Sequence, residues 1–160
     1  MSKKKKSLLV KQTNSIEFAK YIIKKANELE IQINLTKLQK ILYICDGTLL
    51  ALGKNFINEQ AKAWDYGPVY PKVYKWYQKH GKEDVTLWTI SKEIENNDSV
   101  KNVVFQALKK FGNWSAVQLS EWTHKEGSPW SLTMKENNQK LNSVISKEYM
   151  KLYFTGLIGI

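Results

Sequence analysis

A stripe of apolar residues, Leu38, Ile41, Leu42, Cys45, Leu49 and Leu52, runs through "LTKLQKILYICDGTLLALG" and stops at Gly53. Steps of three and four residues put all six on one side of an α-helix, and a Gly just after the stripe supplies the left-handed residue that ends helices. Thr36 and Gln39 stand at its start with the spacing of a capping box. It is the best-defined helix of the chain. Cys45 lies within the stripe and reads as a small buried hydrophobe rather than a nucleophile.

The flanking sequence supplies further helices. Asn14 and Glu17 repeat the capping-box spacing, and Ile16, Ala19, Ile23, Ala26 and Leu29 recur helically, with Lys20, Lys24 and Lys25 mostly outward. Gly67-Pro68 marks a turn, after which Pro71 opens a helix with Val73, Trp76 and Tyr77 on its apolar face, His80 in its last turn and Gly81 at its end. Trp76 and Tyr77 are expected to lock this helix to the apolar one. "DVTLWTI", residues 84–90, is β-branched and aromatic enough for a short strand pairing near Ala63 and Trp64. Val100, Val103, Val104, Ala107, Leu108 and Phe111 define a helix ending at Gly112. Ser115 and Gln118 cap the next, through Leu119 and Trp122, and Ser128-Pro129 starts a short one. Leu141, Val144, Ile145, Tyr149, Leu152 and Tyr153 define a last helix. The expected fold is a mainly α, compact single-domain bundle of about six helices with at most a small β element. Residues 1–13 read as a flexible basic arm and 14–160 as the domain.

Composition removes several function classes. One Cys and two His in 160 residues cannot build a four-ligand zinc site or an internal disulfide, and this usage suits a reducing cytoplasm. No cofactor or metal is implied. Leu8 to Val10 is too short for a signal-peptide core, and no segment approaches a membrane span. The formal net charge of +10 invites a Lys-rich nucleic-acid-binding reading, as for a protein of a phage or mobile element. Every one of the 25 basic residues is Lys, however, and Arg is the side chain that reads guanine edges, so sequence-specific recognition is disfavoured.

"WTHKEGSPW" holds the one cluster with catalytic residue types, His124 and Glu126 with Ser120 and Ser128 close by. An enzyme built on His124 and Glu126 is the competing reading, but the Gly-flanked nucleophile elbow of hydrolases is missing, as are phosphate-binding Gly loops and HExxH. A non-enzymatic protein is the expectation. Among the aromatic residues, Trp76 and Trp122 sit on apolar helix faces and read as core. Trp64, Tyr66 and Trp130 sit beside Gly-Pro or Ser-Pro turns instead, where rigid backbone can hold anchor residues for a protein partner.

Three segments in order, "LTKLQKILYICDGTLLALG", "AWDYGPVYPKVYKWYQKHG" and "FGNWSAVQLSEWTHKEGSPW", resemble the Panacea domain family, which includes SocA-like antitoxins and GepA-like phage-associated proteins. The resemblance covers about residues 15–155. Its marker residues fall here on Lys37, Gln39, Lys40, Tyr43, Trp64, Tyr66, Gly67, Pro68, Val69, Pro71, Val73, Tyr74, Thr123, His124, Pro129 and Trp130. It implies an antitoxin of a type II toxin–antitoxin pair that holds a partner toxin by direct contact, and for one member type an adaptor role towards a ClpXP-type protease. Many family antitoxins carry an additional DNA-binding domain, for which this chain has no room.

Overall fold

The computed structural model describes residues 13–158, so arm residues 1–12 and the final two of the apolar tail Gly156 to Ile160 lie outside the described residues. Among the described residues eight helices and three short strands follow one another: α1 (Ser15–Glu28), α2 (Leu35–Ala51), β1 (Lys62–Trp64), β2 (Gly67–Val69), α3 (Pro71–His80), a 3-10 turn (Val85–Leu87), α4 (Lys92–Glu95), α5 (Asp98–Phe111), α6 (Ala116–Thr123), α7 (Pro129–Glu136), β3 (Ser143–Val144) and α8 (Lys147–Ile158). The mainly α expectation holds, with two helices more than six.

The axis is α2. It is buried on nearly every side, including Gln39, Lys40 and Asp46 as well as the apolar stripe from Leu38 to Leu49, while Leu52, just past its end, is exposed; α1, α5, α6 and α8 pack around it. Its N-cap is Asn34, whose side chain accepts from Lys37 N at 2.9 Å, so the Thr36/Gln39 capping box does not form and Gln39 is free for another use. Gly53 ends the helix region at φ +80°, with its N–H on Leu50 O and that of Lys54 on Leu49 O. Asn14 caps α1 through Ile16 N rather than through a box with Glu17, which pairs with Lys20 instead. The Ser115/Gln118 box at α6 forms in full.

Three other expectations are corrected. Residues 84–90 form no strand: Asp84 accepts from both the N–H and the hydroxyl of Thr86 and caps the 3-10 turn, a local side-chain bond that outcompetes extended pairing. The outer strand beside β1 is β3, giving the antiparallel order β2-β1-β3. Consequently Leu141, Val144 and Ile145 precede the last helix, because Asn138, Gln139 and Asn142 at positive φ hold this stretch open and α8 begins only at Lys147. Trp76 and Tyr77 are half-buried and pack against the core, Trp76 also against Trp88 and His80; buried Val73 and, at the N-cap, Tyr70 hold α3 there as well. Thr13, assigned to the arm, is buried and bridged to Ile57.

The most extensive helix pairing is α2 with α8. It depends on Gly47, where a Cβ would fall 2.2 Å from the Phe154 ring. Gly156, near the end of α8, has nothing within 4 Å of its Cβ position. Gly47→Ala is expected to destabilise the fold by about 1–3 kcal/mol through overpacking, whereas Gly156→Ala is expected to stabilise it by up to about 1 kcal/mol through helix propensity. Urea denaturation of the two variants checks the opposite signs.

Candidate partner-binding face

The β1–β2 connection reverses direction over Asp65 and Tyr66, with Trp64 paired to Gly67. Gly67 sits at φ +112°, and a Cβ there would lie 2.5 Å from Thr123 Oγ1 and 2.8 Å from Lys40 Cε. Glycine is therefore required both for the backbone conformation and for the close approach of α2 and α6.

The carbonyls of this tight turn receive donors from elsewhere in the chain. Trp130 Nε1 donates to Trp64 O at 2.8 Å, Ser120 Oγ to Tyr66 O at 2.7 Å, and Lys40 Nζ to Pro68 O at 3.0 Å. His124 Nε2 lies 2.8 Å from Asp65 O, while its Nδ1 lies 2.5 Å from Ser120 O. Both ring nitrogens thus face main-chain carbonyls. Beyond Pro68 the Gln39 side chain takes over: its Oε1 accepts from Tyr70 N at 2.7 Å and its Nε2 donates to Tyr70 O at 3.3 Å. Tyr70 OH in turn donates to Asp46 Oδ2 at 2.7 Å.

Most of the marker residues meet here. Gln39, Lys40, Trp64, Gly67, Pro68, Thr123, His124 and Trp130 build the clasp, with the Thr123 hydroxyl donating to Ser120 O. Val69 and Val73 are buried behind it, and Pro71 and Pro129 occupy the first turns of α3 and α7. Tyr74 meets the Trp64 ring edge-on at 5.1 Å. Lys37 stands apart, its Nζ donating to Gly112 O at 2.6 Å, and Tyr43 is buried against Phe154. Of the three interface candidates, Tyr66 is 74% exposed, while Trp64 and Trp130 are half-buried supports, Trp64 donating to Asn142 Oδ1 and Trp130 lying 3.9 Å from the His124 ring. A cleft of about 650 Å³ opens beside the turn, lined among others by Leu35, Thr36, Lys40, Trp64, Tyr66 and Tyr74.

His124, Glu126, Ser120 and Ser128 do not assemble a catalytic unit. Ser128 is the buried N-cap of α7, donating to Thr123 O, and Glu126 points outward to Lys135 at 3.4 Å. Cys45 is buried, and burial, then Asp46, pushes its thiol pKa up, away from nucleophilic character. Among the described residues no group of His, Cys, Asp and Glu stands ready for a metal ion, and no helix is long and apolar enough to cross a membrane.

The burial of Lys40 and Asp46 was missed from the sequence. Desolvation brings the Lys40 ammonium down to about 7. Burial raises the Asp46 carboxyl to about 6, with Lys147, its Nζ 3.9 Å away, and the Tyr70 bond holding it lower. The stripe held no signal of it: at about 100° per residue Lys40 falls on the opposite side of α2 and Asp46 at the flank of the stripe, positions that read as polar faces.

Fold and site together define a small mainly α domain built on a buried helix and a clasped hairpin turn. The chain belongs to the family described as Antitoxin SocA-like, Panacea domain, which matches residues 38–131. It is 30% identical over 125 residues to Antitoxin SocA of Caulobacter vibrioides (strain NA1000 / CB15N), an alignment that covers 71% of this chain and 66% of that protein. The chain therefore spans just under two thirds of that relative's length. No solved structure matches it.

Because its ammonium titrates near 7 in the fold and near 10.5 when unfolded, Lys40 binds its proton more weakly in the native state. Its contribution to stability is present above pH 10.5 and is lost as the pH falls through 7. Replacing it by Met keeps the stem and removes the titration. Between pH 7 and 9.5 the stability of the wild type relative to Lys40→Met is expected to rise by on the order of 3 kcal/mol, measured as paired urea midpoints.

Proposed function

We propose that this protein is the antitoxin of a type II toxin–antitoxin pair and neutralises its toxin by direct contact through the β1–β2 turn. The observation that carries this reading is Tyr66, an aromatic side chain 74% exposed on a backbone whose carbonyls are pinned by Trp130, His124, Ser120 and Lys40. A large ring held out by a preorganised turn binds at low entropic cost, which is how interface anchors reach high contributions. Membership of the SocA-like family and similarity to a protein named an antitoxin support the same role. Contact alone is enough for neutralisation, so no catalytic constellation is required.

The test is co-expression. The neighbouring open reading frame, expressed alone, should arrest growth, and this chain should restore growth and co-purify with its product. Tyr66→Ala should leave the melting temperature nearly unchanged and weaken the complex by about 10- to 100-fold. Growth restored equally by Tyr66→Ala would remove the turn as the contact face, and a harmless neighbour with no complex would overturn the antitoxin reading. Rescue accompanied by disappearance of the toxin, relieved when ClpXP is removed, would mark the adaptor route.

A further inference from the structure

Lys40 lines the cleft beside the turn, and its terminal nitrogen is incompletely used. Lys40 is 1% exposed, and its Nζ, with three N–H donors, has the single acceptor Pro68 O among the described residues. No ion pair to it occurs among the described residues either. The groups that surround it do not supply one. On α2, Lys37 is turned away to Gly112 O; on the turn, Asp65 is exposed at the rim; at the end of α6, His124 is spent on Asp65 O and Ser120 O; and on α3, Tyr74 lies against Trp64. A buried charge normally has a partner, because desolvation is repaid only by close opposite charge and hydrogen bonds.

Resting on the antitoxin reading above, we infer that the cleft receives an Asp or Glu side chain of the protein partner, its carboxylate reaching the Lys40 ammonium beneath the rings of Trp64, Tyr66 and Tyr74. Charge complementarity favours a protein occupant: the chain carries a formal +10, so an acidic partner face is drawn to it and the buried ammonium then fixes register. The apolar walls strengthen the pair by excluding water. Burial leaves the free Lys40 ammonium at about 7; an incoming carboxylate favours its charged form, so binding takes up a proton in mildly alkaline solution.

Two measurements test this. In the first, phenylacetate and its neutral isostere phenylacetamide are titrated into the full chain, with the Trp64 indole N–H and the Lys40 amide read by proton–nitrogen NMR. Phenylacetate should bind at least about 10-fold more tightly than the amide, and Lys40→Met should abolish the difference. Equal binding of the two, or no shift up to about 50 mM, a concentration that detects even very weak association, overturns the site.

In the second, binding of the toxin recovered by co-expression is followed by calorimetry at about pH 8.5 in phosphate and in Tris, whose ionisation enthalpies differ. The wild type should take up a proton, roughly one per complex at most, and Lys40→Met should bind at least about 10-fold more weakly without that uptake. Loss of the Pro68 bond alone does not move protons, so the uptake separates charge pairing from a structural role. If Lys40→Met fails to fold, wild-type proton uptake and the phenylacetate discrimination decide. A toxin complex that ignores Lys40 and exchanges no proton overturns the inference, and phenylacetate binding in that case assigns the cleft to small carboxylates. Absence of any toxin complex would count against the antitoxin reading, and the NMR titration would still judge the cleft.

Discussion

Carbonyl groups that turn away from their own strand must find donors, and in this protein those of Trp64, Asp65, Tyr66 and Pro68 find them in four side chains from three helices and a helix end. The need follows from the turn itself. Gly67 at positive φ lets the chain reverse within two residues, and the main-chain carbonyls on and beside the turn have acceptor capacity that side-chain donors fill. Each donor that answers them also fixes the element it belongs to. Trp130 seats α7, Ser120 and His124 seat α6, and Lys40 ties the turn to α2.

The central helix is built to accept polar burial that an ordinary core helix avoids. Gln39, Tyr43 and Asp46 recur along one side of α2, and two of them meet Tyr70: Gln39 pairs with its backbone and Asp46 with its hydroxyl. Asp46 is steadied from the opposite side by Lys147, which opens α8 and also holds Asn55 Oδ1 and Ile57 O. Buried polar groups of this kind contribute little net stability, but any shift of register strands them. Apolar packing supplies the stability of the fold, and these bonds specify where residues 67–70 lie along α2.

Much of this was legible in the residues. Helical periodicity located α1, α2, α3, α5 and α6, because each has one apolar face and a residue that caps or stops it. What escaped depended on partners distant in sequence. Val144 and Ile145 share helical spacing with Tyr149, yet Asn142, N–H bonded to Ala63 O at positive φ, diverts the chain into β3. Gln39 has capping-box spacing, yet Asn34 caps first and Tyr70 claims the amide. The marker residues around Trp64 and His124 could be named as a set, but the clasp they form was invisible, since its acceptors are main-chain carbonyls that no side-chain pattern announces.

The close seating of Phe154 on Gly47 has a consequence for how the molecule comes into being. α2 emerges early in synthesis, but the helix that covers its glycine face follows roughly a hundred residues later, a high-separation contact whose loop-closure cost slows folding. Until α8 arrives, the most apolar element of the chain has one side open to water and to proteases. A chain lacking α8 would therefore leave the Gly47 face of α2 uncovered, which is the kind of exposed apolar surface that invites misassembly.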